Sequence, residues 1–255
     1  MKIMFGTLKI INENRRLRKK LNEYEECYPP KICPICGYKG IDFKRFPQII
    51  HKEVICPNCD CQERHRAVWL YLEKNNHLFK DGNKILHFAP EKPFYDLFKS
   101  NDTEYHGVDL FQTSSRVEEI MDIQDIHYDD DYFDFIYCSH ILEHVPDDRK
   151  AMRELLRVLK PEGIALIMVP MNGVAYELPF DESKTYEDEN ITTPEAREKY
   201  YGQEDHVRLY GADFKERLIE SGFKVLSDDF IKKLGFDTIE KYALMRNESI
   251  FECTK

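Results

Sequence analysis

At 255 residues and a net charge of −10, the chain is long enough for one large α/β domain with a small addition. No apolar run approaches the ~18 residues needed to cross a bilayer. The charge is uneven, +7 over residues 1–80 and −17 over the rest, and an acidic main body is a poor match for nucleic acid, whose binding draws on neutralised phosphates.

The opening MKIMFGTLKII is interrupted by Lys9 and followed by RRLRKK rather than a cleavage site, which predicts a soluble, cytoplasmic protein. Ile10, Leu17, Leu21 and Tyr24 recur at helical spacing, so residues 1–30 are expected to hold an amphipathic helix. It packs on its own domain by default, with a homodimer contact as the alternative. Arg15, Arg16, Arg18, Lys19 and Lys20 read as one solvated face, although such a run can also meet an anionic partner.

Five of the eight cysteines fall between Cys33 and Cys61. Four of them form CPIC and CPNC, and two such knuckles complete a tetrahedral zinc shell. Cys33, Cys36, Cys56 and Cys59 are the expected ligands of a structural zinc, with Gly37 allowing the backbone angles the first knuckle needs. Cys61 and His65 fit the spacing less well, and disulfides are disfavoured in a chain with no sign of export. The stretch CDCQERHRAVWLYLEKN reads as a helix leaving the second knuckle, with Arg64, His65 and Arg66 in its first turn facing either a substrate or the acidic body. Residues 31–80 are thus expected to form a zinc ribbon and its linking helix.

From residue 84 strands alternate with helices. KILHFA, EYHGVDL, VEEIMDI, DFIYCSHI and IALIMVP are strands; PFYDLFKS and DRKAMRELLRVLK are helices, the latter ended by Pro161 and Gly163. This order argues for a parallel sheet with helices on both faces, whose ligands sit beyond the carboxyl ends of the strands. Asp109 ends the second strand, where a carboxylate can accept both hydroxyl hydrogens of a ribose. Asp122 ends the third, and with the adjacent N–H of Ile123 it can read the edge of an adenine. His140, Glu143 and His144 in HILEH also fit the H-x-x-E-H arrangement of zinc peptidases. That chemistry needs a regular helix, whereas FDFIYCS places His140 at a strand end.

The stretch from Asp131 to Pro170, DYFDFIYCSHILEHVPDDRKAMRELLRVLKPEGIALIMVP, closely resembles the fourth-to-fifth-strand segment of class I S-adenosylmethionine-dependent methyltransferases; the resemblance extends from about residue 84 to residue 255, and the implied domain is 81–255. It implies a Rossmann-like sheet of seven strands whose last is antiparallel, with GFKVLSDD and YALMRNESIFECTK supplying the final two. It also implies S-adenosylmethionine as cofactor. That molecule has no phosphate, so the first turn needs no glycine-rich loop, and Ala89 can serve as the small residue at the point of close approach. Pro90 then fixes the turn, Glu91 can face the cofactor's ammonium, and His87 and Phe88 flank the cavity or the core. Leu110 and Ser139 complete the expected cofactor contacts. His140, near where the methyl group should lie, is the first candidate base for an acceptor hydroxyl.

Residues 171–211 form a long polar insertion of the kind that makes lids and binding segments. Its YYGQEDHVRLYG resembles a phrase in a subgroup of these enzymes that joins a zinc ribbon to an HFAPE strand and is associated with surface-glycan and capsule assembly. Asp205, His206, Arg208 and Tyr210 bring acid, base, anion-binding fork and phenol together. His206 is a second candidate base, and Arg208 suits an acceptor phosphate or carboxylate. His144 and Glu187 join them as candidate acceptor contacts, unless Arg208 is simply paired with Glu187. Glu187, Asp188 and Glu189 can hold a divalent ion, although such triplets are usually solvated.

The resulting expectation is methylation, at oxygen, of a small polar or glycan-type acceptor such as a sugar, a sugar nucleotide or a phosphorylated capsule precursor. An RNA methyltransferase docking through its ribbon is the second hypothesis, against which the acidic body counts. A non-catalytic module that keeps the fold is the third.

Overall fold

The structure, a computed structural model, describes residues 16–20, 29–45, 53–75, 80–99, 102–171, 181–227, 229–246 and 248–255. Of the expected amino-terminal helix, residues 16–20 are helical, while Ile10, Leu21 and Tyr24 lie outside the described residues. The chain divides into two units: Met1–Trp69 with Gly235–Leu244, and Leu70–Leu234 with Met245–Lys255.

In the first unit, β1 (Lys31–Ile32) pairs antiparallel with β2 (Lys39–Gly40), and β3 (Lys44–Arg45) with β4 (Glu53–Ile55). The two knuckles repeat each other. Gly37 N–H donates to Cys33 O at 2.9 Å and Asp60 N–H to Cys56 O at 3.0 Å. Gly37 and Asp60 close these turns with φ of 73° and 56°; aspartate is one of the few side chains that tolerates this left-handed region. The helix Glu63–Lys74 begins here. Its Arg66, fully buried, donates from Nε and Nη2 to the Tyr242 and Ala243 carbonyls at 2.7 Å each, and from Nη1 to Val54 O at 2.8 Å. The guanidinium therefore stitches Gly235–Leu244 to the cysteine knuckles and is a structural group of this unit, unavailable to a substrate.

The second unit is built on a seven-stranded sheet of order β10-β11-β9-β8-β5-β6-β7. The strands are β5 (Lys84–Phe88), β6 (Glu104–Asp109), β7 (Glu119–Ile120), β8 (Phe133–Ser139), β9 (Leu159–Met168), β10 (Lys224–Ser227) and β11 (Phe251–Thr254). Strands β5 to β9 run parallel, whereas β11 is antiparallel to both β9 and β10. This is the seven-stranded sheet with its last strand reversed that the resemblance implies. Within β5 the period of two sorts the side chains. Leu86 and Phe88 join the main apolar cluster, while His87 turns to the other face among Phe98, Tyr105 and Tyr137.

The helix after β8 spans Asp148–Val158, with the Asp147 side chain accepting from Lys150 N–H. It ends before the expected Pro161, because Leu159 is already extended and pairs with Phe133. The next register pair is Phe135 with Ile164, so Lys160–Gly163 form an irregularity inside β9. Ala151, Met152, Leu155 and Val158, buried along one side of the helix, face the core. The HILEH segment is no α-helix: His140 has φ of 54° and Leu142–His144 make a single 3-10 turn. The peptidase arrangement is thereby excluded.

The insertion carries its own helix, Pro194–Tyr201, capped by Thr193 and closed by Gly202 at φ 85°. Met171 and Tyr210, and Tyr186 and Leu209, meet as isolated bridges that fold its end back on itself.

Candidate functional site

One cavity of about 450 Å³ lies at the carboxyl ends of β5 to β8, where this topology places ligands. Phe88 and Ala89 follow β5, Asp109 to Phe111 end and follow β6, Met121 to Gln124 follow β7, and His140 and Ile141 follow β8. His144, Val145, Pro146 and Asp205 complete the lining. Of the expected cofactor contacts, Phe88, Ala89, Asp109, Leu110, Asp122 and Ile123 are brought together here.

Ala89 has φ of 47°, a conformation normally left to glycine, and its N–H donates to Val108 O at 2.8 Å. The HFAPE turn therefore makes a glycine-type backbone with an alanine. The next residue, Pro90, is buried and accepts at its carbonyl from Arg116 Nε at 2.7 Å. A Cβ on Gly107 would come within 2.9 Å of the Pro90 ring, so this glycine lets β6 pass close under the turn. Asp109 is aimed by the Leu110 N–H and the Thr113 hydroxyl, each donating at 2.7 Å. Each carboxylate oxygen keeps a second lone pair for a ligand hydroxyl. Asp122 accepts from Gln124 N–H at 2.8 Å. His140 Nδ1 stands 3.5 Å from Glu143 Oε1, and its backbone N–H donates to Met168 O at 2.9 Å.

Other expected contacts lie elsewhere. His87 is fully buried on the opposite face of the sheet, with Nδ1 3.0 Å from the Tyr105 hydroxyl, and so belongs to the core. Glu91 accepts from the Tyr137 hydroxyl at 3.3 Å, and neither it nor Pro90 lines the cavity. Ser139 is buried at the end of β8, and its Oγ has no hydrogen-bond partner among the described residues.

The insertion cluster separates into two groups. Asp205 and His144 reach the cavity, with Asp205 Oδ2 3.2 Å from His144 Nδ1. His206 is buried beside His144, with ring centroids 4.7 Å apart. Burial, and then the neighbouring His144, hold its pKa down to about 4 against the pull of Asp205. Arg208 and Tyr210 are structural, contrary to expectation. Arg208 donates to the carbonyls of Leu142 (2.8 Å), Val145 and Pro146 (2.9 Å), and to Glu187 at 3.0 Å. It is only 3% exposed, and its fork shapes the loop that carries His144. Tyr210 donates to Leu142 O and Asp148 Oδ2 at 3.2 and 2.8 Å, and burial pushes its hydroxyl pKa well up. Glu187 bridges Arg208 and Arg217. Burial would raise its carboxyl pKa, but the two guanidinium groups outweigh it and hold it below the ordinary value. Glu187, Asp188 and Glu189 line a second cavity of about 320 Å³.

In the first unit five sulfurs gather. Cys33–Cys59 and Cys36–Cys56 approach to 3.7 and 3.6 Å, close to the ~3.8 Å edge of a tetrahedron with zinc–sulfur bonds of about 2.3 Å. Cys61, 3.4 Å from Cys33, is a fifth thiol that the spacing argument ranked lower. Cys33, Cys56, Cys59 and Cys61 have sulfurs all within 4.8 Å of one another. Without a cation, the hydrogen bond to Cys61 and burial drive the Cys33 pKa upward. Cys36, despite burial, is lowered to about 7 by hydrogen bonds led by Asn58. Such packed thiols favour a divalent cation that holds them as thiolates.

Phe111, Met121 and Gln124 line the cavity unforeseen. Phe111, two residues past a strand-end carboxylate and 69% exposed, carried a usable signal, an aromatic ring beside Leu110 at the head of a polar loop.

A family model described as a methyltransferase domain matches residues 12–228. The chain belongs to this methyltransferase family. Among curated relatives, phosphoethanolamine N-methyltransferase 2 of Caenorhabditis elegans is 28% identical over 95 residues, 32% of this chain and 21% of that protein. The ubiquinone/menaquinone biosynthesis C-methyltransferase UbiE of Vibrio vulnificus (strain YJ016) is 44% identical over 45 residues, 18% of this chain and 17% of that one. The chain thus spans about a fifth of the length of the curated relatives it matches. Among solved structures, an S-adenosylmethionine-dependent methyltransferase from Mesorhizobium loti superposes with TM-score 0.50 at 15% identity, covering 74% of this chain and 98% of that one. The [4+2]-cyclase SpnF does so with TM-score 0.50 at 16% identity, covering 81% and 87%. That a cyclase shares the methyltransferase fold leaves function to the site. No helix of the described residues is long and apolar enough to cross a membrane.

Proposed function

We propose that this chain is an S-adenosylmethionine-dependent methyltransferase of the cytoplasm acting at an oxygen of a small polar, glycan-type acceptor. The observation that carries the reading is the cavity at the ends of β5 to β8, where Asp109 and Asp122 flank an apolar wall of Phe88, Leu110 and Ile123 with His140 at one side. This donor set fits a nucleoside: Asp109 would hold the ribose hydroxyls, Asp122 the adenine edge, and Ala89 leaves room at the turn. When bound, the cofactor supplies an electrophilic methyl group on a sulfonium. The chain's part is to hold an acceptor hydroxyl in line, a positioning effect, and to take its proton.

His140 is the base of this reading, since it lines the cavity while His206 is buried behind His144. With Arg208 engaged on main-chain carbonyls, a neutral sugar-type hydroxyl suits the site better than a phosphorylated acceptor. The link to polysaccharide biosynthesis rests on the resemblance of the insertion alone. A structural zinc on Cys33, Cys36, Cys56 and Cys59, with Cys61 adjoining, completes the proposal.

Calorimetry with S-adenosylhomocysteine tests it. Metal-replete protein should bind, and Asp109→Ala should bind at least tenfold more weakly, as expected for the loss of a paired charged contact of about 1.5–3 kcal/mol. Absence of binding by the wild-type chain would leave only the non-catalytic module. His140→Ala should lower turnover at saturating cofactor by about 10²-fold or more.

A further inference from the structure

Beside the cavity stands a group of side chains that the cofactor reading does not use. Glu143, His144 and His206 each present one potential ligand atom, and these atoms lie within 4.8 Å of one another. Glu143 is 1% and His206 4% exposed. Among the described residues, the buried His206 Nδ1 has no hydrogen-bond partner, an unusual state for a polar atom so far from water.

The orientation of His144 is informative. Its Nδ1 lies 3.2 Å from Asp205 Oδ2 and its Nε2 3.8 Å from Glu143 Oε1. A carboxylate close to one ring nitrogen favours the proton on that nitrogen and leaves the lone pair of the other, near Glu143, for a ligand. Metal-binding histidines are commonly held in this way. Two imidazoles and a buried carboxylate form a mixed nitrogen and oxygen set that suits first-row divalent transition cations and leaves coordination positions open.

We propose that Glu143, His144 and His206 bind one divalent transition-metal ion at the rim of the cavity, with Asp205 orienting His144. Metal–ligand bonds of about 2.0–2.2 Å require the ligand atoms to draw in by about 1 Å. His144 and Asp205, at 33% and 63% side-chain exposure, have the freedom to move. Because both residues line the cavity, an open position on the ion borders the space assigned to the acceptor. There the ion would bind an acceptor oxygen and lower the pKa of its hydroxyl; this role rests on the methyltransferase reading, whereas ion binding does not.

The probe is Co²⁺, added to full-length, zinc-loaded protein and followed by visible absorption and calorimetry. The expected result is one further cation per chain, with ligand-field bands but without the intense near-ultraviolet band of cobalt–thiolate bonds. Glu143→Gln and His144→Ala should each weaken it at least tenfold while keeping the thermal midpoint near that of wild type. His206→Ala should abolish it, but that buried site can affect folding, so the first two variants decide. No additional cobalt, cobalt only with thiolate bands, or unchanged affinity in both variants would overturn the site and mark the cluster as a hydrogen-bonded network. If cobalt binds as expected but S-adenosylhomocysteine does not, the methyltransferase reading fails and the cation site stands.

Discussion

Replacing Arg208 by methionine keeps the length and removes every donor. The guanidinium makes three bonds to carbonyls of the loop between Leu142 and Pro146 and one to Glu187. Hydrogen bonds from a charged group contribute about 1.5–3 kcal/mol each. They share one side chain and do not add; the Glu187 partner is 44% exposed, which discounts that pair through solvent screening. Tyr210 still donates to Leu142 O, so the Val145 and Pro146 carbonyls are the ones left short. Breaking a buried charged network costs about 3–5 kcal/mol, and the lower end applies here. In a unit of this size that is a fall in Tm of roughly 6–12 °C. Differential scanning calorimetry of wild type, Arg208→Lys and Arg208→Met should give a graded series, because lysine keeps the charge and loses the fork. A Tm for Arg208→Met within about 2 °C of wild type, together with a raised acceptor KM, would show that Arg208 meets substrate and that its assignment to the loop is wrong.

Three further expectations concern other parts of the molecule. At Ala89, Gly should leave stability within about 1 kcal/mol of wild type and retain cofactor binding, since φ of 47° suits it; Val should abolish binding measured by calorimetry, having a branched side chain in a strained backbone beside the cavity. The His206 pKa, held to about 4, lies below its ordinary value near 6.5. The unfolded chain therefore binds the extra proton first, and the stabilisation is full above about pH 6.5 and lost as pH falls toward about 4, up to about 3 kcal/mol in all. Urea midpoints at pH 7 and pH 5 should converge for His206→Asn relative to wild type; parallel shifts would count against this. Removing metal with a chelator should unfold the cysteine unit, read as loss of about one zinc per chain and a lower Tm; a metal-free protein indifferent to chelation would contradict the zinc assignment.

The position of the cavity was legible where a local rule fixed direction. Asp109 and Asp122 follow strands, and the end of a parallel strand faces the ligand side whatever surrounds it. Ala89 was legible as the small residue of the first turn, and it takes a left-handed φ of 47° there. The CPIC and CPNC repeat foretold both turns, although Asp60 in the glycine-like position was not singled out. Reading failed where the answer depended on a distant partner. Arg208 looks like an anion fork until the carbonyls of Leu142, Val145 and Pro146, more than sixty positions away, fold beneath it. His87 sits next to Phe88 in the chain, but the pleat sends them to opposite faces, and the strand's position in the sheet decides which face holds the cavity. Cys61 fits the ligand spacing poorly yet reaches the sulfur cluster through the fold. The return of Gly235–Leu244 to the first unit left no periodic trace.

The reversed strand β11 has a kinetic consequence. Among the described residues, strand β10 is hydrogen-bonded in the sheet only to β11, which lies between it and β9. Chain emerging from a ribosome thus cannot complete this side of the sheet until Phe251–Thr254 has been made. Until then Ala165–Ile167 of β9 presents an unpaired, strongly apolar edge, the kind that templates misassembly. Proteolytic cleavage just before Phe251, followed by loss of the strand, would recreate the same edge. Aggregation during synthesis, more than reduced turnover, is the expected signature of damage there.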